Sequence, residues 1–162
     1  MKTLLLLRHA KSSWDNDALG DYDRPLNGRG RHDAPRMGRL LVQLDLVPDL
    51  IVASGAKRAA ATAELAAIAA GYPGHIHYTD ELYLADTETF VEVARETDDA
   101  VGRLMLVAHN PGTEELVSAL AGRDERMPTA SLACFRLSID RWAELDEETP
   151  AELVGVWRPK EV

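Results

Sequence analysis

The chain has 162 residues, a length that suits one domain spanning residues 1–162 and lets about 70% of the unfolded surface be buried without disulfides or metals. Eighteen Lys and Arg against twenty-seven Asp and Glu leave a net charge of −9, which argues against nucleic acid and anionic membranes as partners. The single cysteine, Cys134, excludes an internal disulfide and a Cys-based zinc site, and the longest early apolar run, Leu4–Leu7, is too short for a membrane span or signal segment, so the expected compartment is the cytoplasm.

Thr3–Leu7 reads as a short buried strand ending abruptly at Arg8 and His9. The polar stretch Asp15–Asp23 reads as a loop. Asn27 is a plausible cap for a helix over about residues 29–44, with Met37, Leu40, Leu41 and Leu44 at three- and four-residue steps. Pro35 fits best in a first turn, which moves the expected start towards Asp33. A second strand is expected over Leu50–Ala53, an alanine-rich helix over Lys57–Ala70 and a third strand over His75–Tyr78. A helix over Thr87–Glu96, a fourth strand over Arg103–Ala108 and a helix over Glu114–Leu120 follow. Two late segments, Ala133–Ile139 and Leu153–Trp157, alternate as sheet strands do. Repeated strand–helix units closed by two strands predict an α/β fold, a three-layer α/β/α sandwich with a mostly parallel central sheet.

In such sheets ligands bind beyond the carboxyl ends of strands. Arg8 and His9 follow the first strand, Lys57 and Arg58 follow the second, and His109 follows the fourth. Two arginines and two histidines on one rim of an acidic protein make an anion pocket, with Arg58 near a helix N-terminus whose free amides share the anion. The competing reading of Arg8 and Arg58 is a pair of rim salt bridges.

The stretch Arg8-His9-Ala10-Lys11-Ser12-Ser13-Trp14 resembles the opening motif of the histidine phosphatase (phosphoglycerate mutase-like) superfamily, in the variant of the SixA-type phosphohistidine phosphatases. Asp23–Asn27, Ser54–Ala59 with Thr62 and Ala63, Glu81-Leu82-Tyr83 and Val107–Gly112 follow in family order, so the resemblance covers roughly residues 1–121. It implies a phosphoglycerate mutase-like fold and a phosphatase. His9 would be the nucleophile that accepts the phosphoryl group, and Arg8, Arg58 and His109 would hold its oxygens. Lys11 and Ser12 are further candidate substrate contacts. No metal or other cofactor is expected, because the two arginines supply the positive charge that a phosphoryl transition state needs. His109 would help most as an imidazolium, a form favoured by a bound anion.

The chain departs from the family pattern in three places. Ala10 stands where many members carry glycine, and Asp15 where many carry asparagine; an ionised Asp15 would repel phosphate. The acid-donating glutamate usual two residues after a mid-chain leucine is missing, since Leu82 is followed by Tyr83 and Leu84. An alkoxide leaving group needs that acid, whereas an imidazole leaving a phosphoramidate departs neutral when its other ring nitrogen is protonated. The absence therefore favours a phosphohistidine substrate over a sugar phosphate. Only about twenty residues separate Glu81 from the fourth strand, too few to add a lid, which suits a phosphorylated protein as partner, with a small phosphate compound as the alternative. A non-catalytic phosphate-binding module is the rival class, and His9 argues against it because binding needs no nucleophile. Arg141, seven residues after Cys134, does not have the spacing of a cysteine phosphatase, Asp21 and Asp23 lack the strand-end setting of an aspartyl phosphatase, and His75 with His77 lacks a third metal ligand.

Overall fold

The computed structural model describes all 162 residues. Six strands form one sheet: β1 (Lys2–Arg8), β2 (Leu50–Ser54), β3 (Ile76–Thr79), β4 (Arg103–Ala108), β5 (Leu132–Leu137) and β6 (Ala151–Trp157), in the order β3-β2-β4-β1-β5-β6. The pairs β1–β4, β2–β4 and β2–β3 are parallel, and β5 and β6 add antiparallel edges. Every residue of the Leu4–Leu7 run is buried, because the central strand β1 is covered on both faces. Leu4 and Leu6 pack with Phe90, Phe135 and Trp142 beneath α3 (Thr87–Arg95) and α4 (Gly112–Ala121). Leu5 and Leu7 face Met37, Leu41, Ala63 and Ala66 of α1 (Gly28–Gln43) and α2 (Lys57–Ala70). This is the expected three-layer arrangement. No helix is long and apolar enough to cross a membrane.

The helix α1 corrects one expectation. It begins at Gly28 rather than near Asp33, and Pro35 sits inside it. The Asn27 carboxamide oxygen accepts from the Gly30 amide at 2.9 Å and fixes that start. Gly30 and Gly38 then set how closely the helix lies: a Cβ at Gly30 would collide with the Lys11 backbone, and one at Gly38 with the Ala66 carbonyl. The two close contacts lie on either side of Pro35, whose nitrogen has no hydrogen to donate to the helix. Strand β3 starts at Ile76, which leaves His75 just before it, and both His75 and His77 are exposed.

Strands β1, β2 and β4 are mutually parallel neighbours, so their carboxyl ends share one rim. Arg8 ends β1, Ser54 ends β2, and His109 follows Ala108 at the end of β4. The fold thus gathers three chain segments about fifty residues apart.

Candidate active site

His9 leaves β1 with its amide bonded to the Ala108 carbonyl of β4 at 2.9 Å. The next amide, of Ala10, donates to Thr62 Oγ1 on α2 at 2.9 Å, so the turn is fixed from both sides. The His9 ring lies with Nδ1 2.8 Å from the Ala10 carbonyl. A carbonyl only accepts, so Nδ1 carries the proton and Nε2 of the neutral ring keeps its lone pair. Nε2 has no protein partner and is not sealed from solvent. Burial, with the charges of His109, Arg8 and Arg58, pushes the His9 pKa down to about 3.

The ring of His109 sits 5.1 Å from that of His9, centroid to centroid. Its Nε2 meets Ser54 Oγ at 2.8 Å, and its buried Nδ1 has no partner. Burial and the nearby charge of Arg58, opposed by Asp21, lower its pKa to about 4. His109 is therefore neutral at pH 7 in the free protein, whereas the sequence reading wants an imidazolium. The reason is burial, which together with Arg58 outweighs the opposing charge of Asp21.

Arg8 and Arg58 are buried to different degrees and held by oxygens behind them. Arg8 Nη1 donates to the Met127 carbonyl at 3.1 Å. Arg58, in the first turn of α2, donates from Nη1 to the Asp21 carbonyl at 2.6 Å and from Nη2 to Asp21 Oδ2 at 2.9 Å. The Nε atoms of both arginines are buried without an acceptor. Burial lowers the Arg8 pKa and Arg58 adds to that, while Glu114 opposes it. The helix α2 has no side-chain cap at Ala56, so first-turn amides are left near Arg58. Two guanidiniums, a second imidazole and a helix start gather around the imidazole of His9, an arrangement suited to binding a tetrahedral anion beside a nitrogen lone pair.

The expected core of His9, Arg8, Arg58 and His109 is brought together by the fold; Lys11 and Ser12 are not part of that cluster. Ser12 Oγ accepts a hydrogen bond from Arg24 Nη1, and both residues are buried. Lys11 is exposed and lines a separate cleft. Asp15 is exposed, with its amide on Ser13 Oγ, and Glu81 lines a groove beyond β3. Trp14 is 70% exposed and stacks on Arg24, whose guanidinium carbon lies 3.5 Å from the ring centre.

Sequence reasoning missed Asp21. Its carboxylate accepts from Tyr83 Oη at 2.6 Å, from Arg24 Nη2 at 3.0 Å and from Arg58 Nη2. The Tyr83 hydroxyl and the two arginines hold it well below the usual carboxylate range. The Tyr83 ring in turn stands edge-on to His109 at 5.5 Å. The available signal was the Gly20 turn with Asp21 three residues before Arg24, a spacing that pairs charges within one turn. Its link to Arg58, thirty-seven residues on, left no local trace.

The sequence model of the histidine phosphatase superfamily (branch 1) matches residues 4–123. The chain belongs to that superfamily. An uncharacterised protein of Mycobacterium tuberculosis is 33% identical over 165 residues, covering 95% of this chain and 100% of its own. A crystal structure provisionally named phosphohistidine phosphatase SixA, from Agrobacterium tumefaciens, superposes with a TM-score of 0.83 at 31% identity, covering 98% of each chain. The protein histidine phosphatase SixA complexed with tungstate shares the fold at a TM-score of 0.82 and 20% identity, over 98% of this chain and 97% of its own. The SixA-type histidine phosphatases are thus the structural neighbours of this chain, as its opening motif implies.

Proposed function

We propose that this histidine phosphatase hydrolyses phosphohistidine in proteins through a covalent phosphoryl group on His9, without a metal ion, in the cytoplasm. The observation that carries the reading is the His9 ring itself, with Nδ1–H held by the Ala10 carbonyl and Nε2 free beside Arg8, Arg58 and His109. A nucleophilic imidazole must be neutral with its lone pair outward, and this one is held so without a neighbouring base.

In the first step the Nε2 lone pair attacks phosphorus, a new P–N bond forms, and the P–N bond to the substrate's imidazole breaks. The bond's electron pair leaves with that imidazole, which is neutral because its other nitrogen carries a proton. The spreading negative charge on the three phosphoryl oxygens is met by Arg8 and Arg58, whose rear contacts fix them before substrate arrives. Substrate negative charge raises the His109 pKa again, so that its unpartnered Nδ1 donates to an oxygen. In the second step water attacks phosphorus, the His9 P–N bond breaks with its electron pair returning to Nε2 of the neutral ring, and the product leaves as dihydrogen phosphate carrying the water's oxygen and both its protons.

The leaving-group side supports a P–N substrate. Leu84 stands two residues after Leu82, where the carboxylic acid is missing, and the hydroxyl proton of Tyr83, whose ring stands edge-on to His109, is committed to Asp21, which raises the Tyr83 pKa. Asp21 is ionised and donates nothing. Turnover compared on a phosphohistidine peptide, a phosphoserine peptide and a sugar phosphate tests the reading. The expected order has phosphohistidine far ahead; equal or higher kcat/KM on the alkyl phosphates contradicts it.

A further inference from the structure

A second positive feature adjoins the phosphoryl site. Lys11, Arg29, Arg158 and Lys160, with Pro128, Thr129 and Pro159, line a cleft of about 270 Å³ whose only carboxylate is Glu161. Arg158 is anchored to Glu125 at 3.1 Å and to the Arg126 carbonyl, and Arg29 leans on Asp33 at 3.5 Å. Lys11 and Lys160 are exposed and have no acidic partner. The chain segments that line the cleft adjoin the nucleophile. Lys11 follows His9 by two residues, a Cα separation of at most about 7 Å, and the Ala130 amide beside Thr129 donates to the His9 carbonyl at 3.0 Å.

We propose that this cleft docks acidic side chains flanking the phosphorylated residue of a protein substrate. The inference rests on the phosphohistidine reading above and names how such a protein is recognised. A chain of net charge −9 repels acidic partners at long range, so four cations gathered in one concave surface act only on a partner already at the rim. None of His9, Arg8, Arg58 or His109 lines the cleft, so a ligand touching both must reach from the imidazole past Lys11. An extended polypeptide, at about 3.3 Å or more per residue, spans that gap with two or three residues. No hydrophobic side chain lines the cleft, which suits carboxylates rather than an apolar anchor.

The test uses two phosphohistidine peptides of equal length, one flanked by Asp and Glu and the other by Asn and Gln, with the full-length protein. The wild type is expected to show about tenfold higher kcat/KM on the acidic peptide, through KM. That advantage disappears in about 0.5 M salt, in Lys160→Glu and in the double variant Arg29→Gln/Lys160→Gln. The neutral peptide is hydrolysed equally by all three proteins. Asp33 keeps Arg36 as a partner, and Lys160 has none to lose, so neither variant strands a buried charge. A fluorescent acidic peptide with unmodified histidine supplies a readout independent of chemistry: its binding weakens about tenfold in the same variants. If no phosphohistidine peptide is turned over but this binding still depends on Lys160, docking stands and the hydrolysis reading fails. Equal kcat/KM on both peptides, or peptide binding indifferent to the variants, would overturn the proposal.

Discussion

The protein carries two clusters of positive charge, and they are built in opposite ways. Around His9 the arginines are held from behind by carbonyls and by Asp21, and the two imidazoles are buried and neutral. In the cleft beside Lys11 two of four cations stand free in solvent. Fixed donors cost no reorganisation when charge develops, and buried ones act at low dielectric, so the first cluster is suited to a transition state. Loose exposed lysines are screened by salt and contribute little per contact, so the second is suited to attraction. An acidic chain uses position, not net charge, to handle an anion.

Substitutions break the two clusters differently. His9→Ala is expected to abolish turnover while leaving phosphate binding in place, since the arginines remain; measurable turnover in that variant contradicts a covalent route. Arg58→Ala should lower kcat/KM by about 10²–10³, with unchanged salt dependence, because its partner is a bound oxyanion rather than a distant charge; steady-state assays across salt concentrations check both points. Asp21→Asn keeps the shape but removes the carboxylate that Arg58, Arg24 and Tyr83 share, and is expected to cost roughly tenfold in kcat through misplacement of Arg58. Tyr83→Phe retains the ring edge against His109 and loses only the hydroxyl contact, so its effect should stay within about threefold. A larger loss on phosphohistidine would give the hydroxyl a part in proton transfer.

Acid separates the clusters further. His9 and His109 have folded pKa values near 3 and 4, below the ordinary 6.5, so between those limits the unfolded chain takes up protons that the folded chain refuses. Stability is present above pH 6.5 and falls as pH drops, by up to about 1.4 kcal/mol per pH unit for each imidazole. Denaturant midpoints measured from pH 7 to 5 should decline in the wild type and less steeply in His109→Gln; a flat wild-type profile contradicts the burial argument.

The architecture was legible because its signals are local. Leucines at four consecutive positions mark a doubly covered strand, and three strands ending in Arg8-His9, Ser54-Gly55 and His109-Asn110 put the polar groups on one rim. The start of α1 was obscured because Pro35 argues locally for a boundary, whereas Gly30 and Gly38 act through Lys11 and Ala66 on other elements. Asp21 was hidden for the same reason: its partner Arg58 is close only after folding. Ser12 lies beside the nucleophile in sequence, and its hydroxyl accepts from Arg24, a contact made across twelve residues that the sequence did not display.

The most direct test is chemical trapping of the His9 ring. Brief incubation of the wild-type protein with a radiolabelled phosphoramidate, followed by denaturing quench and peptide mapping, should yield an acid-labile, base-stable label on the peptide containing His9, at Nε2, and none in His9→Ala. Turnover without any such label, or a label on another residue, contradicts the account.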